Sequence, residues 1–339
     1  MKQKTKIHFR TSLPAFTLVE LLVVISIIAM LLAILMPSLQ KARSAAYGIK
    51  CGANMRNVGA AMLSYVTDYG KYPFSYAYAS DNKGGYDLNN QTTDNGNGYV
   101  HWSYFLTEGG RCKDDAFKCP GMLRGGAPRT NPGSNKNDWE AGQVDGQGQN
   151  QPNNIVDKQA TRMSIAANAA IIPRNKFNAA AFGIRKANRL VGASEVDRPS
   201  EVILATEFTN NWKAITGDGM LKSKSHRSVT PFTDLSAGTD IYNGSGYFIY
   251  GLGQQTQNFG LSPVSQIMNA VGLIQDSPIN AIGRHHSGSG ETKEMGGCAN
   301  FLYCDGHVER QTVLDTFKTF KWGKKFYSLT GSNSVLLNR

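Results

Sequence analysis

The strongest pattern lies at the start of the chain. Residues 16–36 form one apolar run of 21 residues in which Glu20 is the only charge. At 1.5 Å rise per residue the run predicts a helix of roughly 31 Å, about the thickness of a bilayer's hydrocarbon core. A carboxylate in hydrocarbon costs about 2.5–3.5 kcal/mol on insertion scales, so Glu20 needs a partner or a task. Pro37 follows; it lacks an N–H and predicts a kinked or loosened helix there. Beyond it, Ala42, Ala45, Ala46, Ile49, Ala53, Val58, Ala61, Met62, Tyr65, Val66 and Tyr69 recur mostly at steps of three or four. That spacing predicts an amphipathic helix over residues 37–73 whose apolar stripe needs a globular surface to cover it. Gly48, Gly52 and Gly59 each weaken that helix by about 1 kcal/mol against Ala, so they mark bending or close packing. Gly70-Lys71-Tyr72-Pro73 stops it.

The remainder, residues 74–339, reads as a globular domain with few long periodic segments. Residues 75–98 are rich in Gly, Asn, Asp and Tyr and read as loop. Residues 99–106 predict a short strand or helix packing Trp102 and Phe105, and residues 162–172 fit either strand or helix. Residues 129–157 are polar and predict a long surface excursion or a partly disordered segment. Residues 201–208 predict a buried strand, residues 241–250 a second. Residues 300–303 with His307 and Val308 predict a hairpin around Cys304-Asp305-Gly306, because Asp-Gly between apolar runs is a strong turn signal.

Three readings of the N-terminus compete. Lys2, Lys4, Lys6 and Arg10 precede the apolar run and hold a short segment on the cytoplasmic side. The run then serves as an uncleaved anchor, as a signal peptide cut near Ser44-Ala45-Ala46, or as a helix exposed by cutting between Ala15 and Phe16. An ordinary signal peptide has an apolar core of about 7–15 residues, shorter than this one. The stretch Ala15-Phe16-Thr17-Leu18-Val19-Glu20, running on into Leu-Leu-Val-Val-Ile, resembles the type IV prepilin cleavage and methylation motif. That family usually has Gly where this chain has Ala15. The resemblance implies that Ala15 ends a leader, that Phe16 becomes an N-methylated terminus, and that Glu20 is the motif glutamate. Methylation leaves the amine cationic, so the glutamate of a neighbouring subunit can pair with it on assembly. Pilins resembling this chain also carry a proline near the position of Pro37.

A narrower resemblance covers Cys51-Gly-Ala-Asn54-Met-Arg56-Asn-Val-Gly59 through Tyr65, Asp68, Gly70 and Tyr72-Pro73. It is similar to a family of long, pseudopilin-like exported proteins, whose second half carries His, about nine residues, then Asp-Gly. Trp102, Cys119-Pro120 and Pro199-Ser-Glu-Val-Ile-Leu-Ala-Thr-Glu207 also look like that family. Here Arg284-His285-His286 and Asp305-Gly306-His307-Val308, in the region 283–310, fit the pattern with a longer spacing: 18 residues separate His286 from Asp305. An inserted Gly-rich loop, residues 287–297, accounts for the difference. His286, Asp305 and His307 are candidate ligands for a divalent metal, since imidazole with carboxylate suits Zn²⁺. The plain alternative is that Asp305-Gly306 makes a turn and His286 bonds a backbone carbonyl.

Composition narrows the function classes. The chain has 339 residues, and removing the 15-residue leader leaves 324. Net charge is +11, of which the leader carries four, leaving +7. That permits contact with nucleic acid, polysaccharide or lipid headgroups and demonstrates none. The five cysteines form no Cys-x-x-Cys, which argues against a four-cysteine zinc site. Export makes two local disulfides the expectation, Cys112–Cys119 and Cys298–Cys304, with Cys51 left over; other pairings and reduced, buried cysteines stay open. Gly-x-Ser-x-Gly, His-Glu-x-x-His and phosphate-loop motifs are absent. His226, beside Lys222, Lys224 and Arg227, reads as a solvated group. Phe317, Phe320, Trp322, Phe326 and Tyr327 interleave with Lys318, Lys321, Lys324 and Lys325, which predicts either a base-stacking face or a core edge with lysines in water.

The expected architecture is α+β and pilin-like. A leader at 1–15 precedes a transmembrane helix at 16–36 and an amphipathic helix at 37–73, packed on an antiparallel β-rich exported domain at 74–339. The expected function is a non-enzymatic prepilin-like subunit of a type IV pilus or a type II secretion pseudopilus, with no resident cofactor and no catalytic residue. Its expected partners are a prepilin peptidase, other pilin or pseudopilin subunits, the assembly platform and the inner membrane, rather than nucleic acid. It crosses that membrane once, N-terminus cytoplasmic and C-terminal domain periplasmic or extracellular. The alternatives are an anchored binding module, for DNA or polysaccharide, that does not polymerise, and an anchored hydrolase.

Overall fold

The computed structural model describes residues 17–90, 96–177, 188–217, 220–234, 256–261, 281–286, 297–329 and 331–336. The chain divides into two compact units, residues 1–43 and 44–339. In the first, helix α1 (Leu18–Tyr69) begins, and every residue from Thr17 to Arg43 is exposed. This stretch is long and apolar enough to cross a membrane. The helix starts with a reciprocal cap. Thr17 donates from its backbone N–H and its hydroxyl to Glu20 Oε2, at 2.9 and 2.7 Å, and Glu20 N–H returns a bond to Thr17 Oγ1 at 3.2 Å. Pro37 lies inside α1, and the helix continues through it.

In the second unit, residues 44–69 of α1 are the only long helix among the described residues. The strands are β1 (Tyr76–Tyr78), β2 (Tyr99–His101), β3 (Ala127–Pro128), β4 (Arg162–Met163), β5 (Ile165–Ala167), β6 (Ile203–Glu207), β7 (Thr216–Gly217), β8 (Lys222–Ser223), β9 (Phe232–Asp234), β10 (Thr256–Leu261), β11 (Cys298–Tyr303), β12 (Val308–Thr312) and β13 (Ser332–Leu336). The short helix α2 (Trp102–Glu108) follows β2, so the stretch expected to be strand or helix is both. The main sheet has the order β12-β11-β6-β5 and is antiparallel throughout. A three-stranded sheet, β13-β10-β9, departs from the antiparallel expectation, since β10 and β13 run parallel. The strand expected at residues 241–250 lies outside the described residues.

The main sheet has two differently covered faces. Period-2 alternation puts Asn300 and Leu302 of β11 beside Glu207 and Ala205 of β6, with Leu302 opposite Ala205 in register. That face meets α1: Gly52 approaches Asn300 and Gly59 approaches Leu302 so closely that a Cβ would lie 3.2 and 2.6 Å from their side chains. Met55, Val58 and Met62 are fully buried on the same helical face, at about 1.5–3 kcal/mol each. On the other face Phe301 meets Trp322, ring centroids 6.1 Å apart, and Trp322 donates to Thr316 Oγ1 at 2.9 Å. The buried stripe therefore runs through Gly48, Cys51, Gly52, Met55, Val58, Gly59, Met62 and Val66. It does not include Ile49 or Tyr69, which are 73% and 62% exposed. Gly70, at φ +70°, ends the helix in the left-handed region that glycine reaches without strain.

Residues 129–157 do not form a loose excursion. Asp157 accepts from Tyr99 N–H, Asn131 N–H and Asn131 Nδ2 at 3.0, 2.8 and 2.7 Å, and Asp145 accepts from Gln147 and Gln149 N–H at 2.9 and 2.7 Å. Asn and Asp side chains replace a regular ladder as partners of the loop's backbone, so the segment is polar, ordered and partly buried.

Candidate functional site

Where β6 ends, a buried polar centre sits between α1 and the main sheet. Glu207 is the last residue of β6, and its alternation points it toward α1. Residues 281–286 bridge β6 and β11. Ile282 pairs with Phe208 and His286 with Cys298, and Glu207 O accepts from Gly283 N–H at 2.7 Å. This delivers His286 to Glu207, with Nε2 3.1 Å from Oε1 and both side chains almost fully buried. Asn300 of β11 completes the set. Its backbone N–H donates to Glu207 Oε2 at 2.9 Å, and its Nδ2 is within 2.8 Å of Glu207 Oε1 and 3.2 Å of Gly48 O in α1. The carboxylate thus ties together two strands and the 281–286 segment, and Asn300 extends the link to the helix.

The Cys51–Cys119 disulfide borders this centre. Cys51 comes from α1, and Asn54, one turn later, donates from Nδ2 to Lys118 O at 2.7 Å, fixing the loop that carries Cys119. Cys119 Sγ lies 3.6 Å from His285 Nε2 and 3.9 Å from His286 Nε2. Gly121 lies against the same group, where a Cβ would make ordinary contact with His285, His286 and Cys119 Sγ at 3.5–3.6 Å. Burial alone pushes the Glu207 carboxyl up. The hydrogen bond and charge of His286, the charge of His285 and the Asn300 amide outweigh it and hold the group below the ordinary carboxylate value. Burial, against an opposing pull from Glu207, lowers His285 to about 4, with His286 and Arg310 adding to the fall.

No family model, no curated protein and no solved structure matches the chain. Its chemistry is therefore read from its own residues.

Several sequence expectations land elsewhere. Ala15 and Phe16 lie outside the described residues. Cys119 is bonded to Cys51, not to Cys112, and Cys112, Cys298 and Cys304 are free, so both expected local disulfides are corrected. Short sequence separation favoured the local pairs, but the helix and the 115–119 loop bring Cys51 within 5.1 Å of Cys119, Cα to Cα. The proposed metal trio His286, Asp305 and His307 is also not assembled. His286 pairs with the first residue of β11, whereas Asp305 and His307 sit in the turn beyond its last residue, about 20 Å further along the strand direction. There His307 Nδ1 and Asp305 Oδ1 lie 2.6 Å apart at the surface, and the His307 ring stacks on Tyr303. His226 is buried rather than solvated, stacked on Tyr99 with its Nδ1 2.8 Å from Thr130 Oγ1. In the tail, Trp322, Phe326 and Tyr327 are buried in the core, which removes their faces from any base-stacking surface. Glu207 went unnoticed as a site residue; its signal was a charged residue closing an otherwise apolar strand.

Proposed function

We propose that this chain is a membrane-anchored, prepilin-like structural subunit. A membrane peptidase cuts it between Ala15 and Phe16, Phe16 is methylated, and the exposed helix packs with other subunits into a pilus or a secretion pseudopilus. The observation that carries this reading is the first part of α1: an unbroken, fully exposed apolar helix with its one carboxylate in its first turn. Such a surface is stable only in lipid or against other helices. Glu20 supports the reading twice. In the uncut chain its Oε2 is held by Thr17, which offsets part of the cost of a carboxylate at the membrane edge. After the cut it lies four residues from a cationic amine, and the amine of a neighbouring subunit becomes available to it. The Glu207–His286–Asn300 centre serves the same architecture by fastening the domain to the helix it is displayed on, and no enzymatic step is assigned to it.

The decisive measurement is the mass of the mature N-terminus from cells with and without the peptidase. N-methylated Phe16 in its presence and an intact leader in its absence are expected; an intact Met1 in both refutes processing. Glu20→Ala is expected to insert normally and to lose assembly into filaments, and normal assembly of that variant refutes the ion pair.

A further inference from the structure

We propose that the centre beside β6 is a redox-gated metal site. Cys51, Cys119, His286 and Glu207 hold a zinc-like divalent cation when the two cysteines are thiols, and the disulfide occupies the same place when they are oxidised. The donor atoms, one from each of the four residues, all lie within 4.8 Å of one another, and all four residues are buried. Zinc bound to sulfur at about 2.3 Å and to nitrogen or oxygen at about 2.0–2.2 Å forms a tetrahedron with edges of roughly 3.3–3.8 Å. The separations from His286 Nε2, 3.1 Å to Glu207 Oε1 and 3.9 Å to Cys119 Sγ, bracket that range. Two thiolates, an imidazole and a carboxylate form a donor set that soft-to-borderline divalent metals prefer.

A purely structural disulfide does not account for what surrounds it. The sulfurs of a disulfide carry no charge and accept hydrogen bonds weakly, yet two imidazole Nε2 atoms approach Cys119 Sγ within 3.9 Å. A thiolate gives His285 Nε2 a charged partner in place of a neutral sulfur, and His286 Nε2, bonded to Glu207 Oε1 beside the disulfide, becomes a ligand when the metal is bound. Asn300, donating to Glu207 through both its backbone and its amide, orients the carboxylate as the outer partner of a metal ligand does. The ligands come from α1, the Cys119 loop, β6 and the 281–286 segment, so the metal joins β6 and the 281–286 segment to the two elements that the disulfide already links.

The exchange balances. A dithiol reductant gives two electrons and two protons to the Cys51–Cys119 bond and leaves as its own disulfide. The two thiols then release those two protons as the cation binds both sulfurs as thiolates. A reducing compartment favours the metal, and an oxidising one favours the disulfide.

The test uses the detergent-solubilised full chain, reduced with a dithiol, freed of it by anaerobic gel filtration and titrated with Co²⁺ and then Zn²⁺. One equivalent of Co²⁺ is expected to give a sulfur-to-cobalt charge-transfer band that one equivalent of Zn²⁺ abolishes, and the oxidised chain gives no band. Glu207→Gln and His286→Ala are expected to weaken Co²⁺ binding at least tenfold, the first with little change of shape. A reduced wild-type chain with native circular dichroism and no band overturns the proposal. So does an equal band in a Cys51→Ser/Cys119→Ser variant, which would assign the sulfurs to Cys112, Cys298 or Cys304.

Discussion

The glycines at 48, 52 and 59 leave three gaps among the side chains on the sheet-facing side of α1, and what each one meets predicts a graded response to alanine. Ala gains about 1 kcal/mol over Gly in a helix interior, at every site alike. At Gly59 a Cβ would sit 2.6 Å from Leu302 Cδ1 and 3.3 Å from the Gly306 carbonyl. Two carbons rest at about 3.5–4.0 Å, so the overlap is about 1 Å. Leu302 is 1% exposed and has nowhere to retreat. Overpacking of this kind costs about 1–3 kcal/mol, and a full ångström falls at the upper end, leaving a net loss of about 2 kcal/mol. At Gly48 the nearest atom, at 2.8 Å, is Arg310 Nη1, the far end of an exposed side chain that can swing away. Gly48→Ala therefore keeps most of its 1 kcal/mol gain, and Gly52→Ala, which meets Asn300 Oδ1 at 3.2 Å, falls between. For a unit of this size 1 kcal/mol is about 2 °C in Tm, so Gly48→Ala and Gly59→Ala should melt about 6 °C apart on either side of wild type. Fluorescence melting of the solubilised chain, with buried Trp102 and Trp322 as reporters, measures this. A Gly59→Ala chain melting at or above wild type, or a Gly48→Ala chain falling as far as Gly59→Ala, refutes the close-packing account.

Two further outcomes follow from the unit at residues 44–339. The Cys51–Cys119 bond closes a separation of 68 residues, so Cys119→Ser should lower stability by about 4 kcal/mol on chain entropy; denaturant midpoints of variant and wild type in metal-free, non-reducing buffer check it, and equal midpoints contradict it. Burial raises Asp157 from 3.8 to about 6 against the pull of its Asn131 and Tyr99 bonds. A raised carboxyl contributes stability that is fully present below its unfolded value and lost as pH rises through the folded one. About 3 kcal/mol should therefore disappear between about pH 4 and pH 6. Asp157→Asn should flatten that part of the Tm–pH curve, and an unchanged slope refutes the assignment.

The long elements were legible and the polar ones were not. The apolar run, the helix to Tyr69, its stop at Gly70, the buried strand at β6 and the hairpin around Asp305-Gly306 all follow from periodicity and turn chemistry. The orientation of the helix was read less well. Hydropathy scoring marks Ile49 and ignores Gly48 and Gly52, yet the glycines face the sheet, because a bare backbone lets β11 approach where a branched side chain would hold it off. The Thr17–Glu20 cap was present in sequence as Thr-x-x-Glu but was hidden by the question of why a charge sits in an apolar run. The order within residues 129–157 was illegible because its anchor, Asp157, bonds Asn131 and Tyr99, 26 and 58 residues away, and polarity alone reads the same in a disordered loop.

His286 shows most clearly why spacing misled. Counting residues from His286 to Asp305 assumes that the two are meant to meet, so 18 intervening positions demand an inserted loop. The pairing of His286 with Cys298 makes that count irrelevant. Once the two backbones exchange hydrogen bonds at 3.2 Å, the position of His286 is set by the start of β11. Any length of chain between residues 286 and 298 leaves it there. The residue it meets is then decided by the neighbouring strand, and in the order β12-β11-β6-β5 that neighbour is β6, whose last side chain on the helix-facing side is Glu207. Asp305 is carried past the other end of β11 into a turn, where its carboxylate lies against His307 as that of Glu207 lies against His286. Histidine and aspartate thus mark the two ends of one strand, and the acid that matters to the histidine comes from the strand beside it.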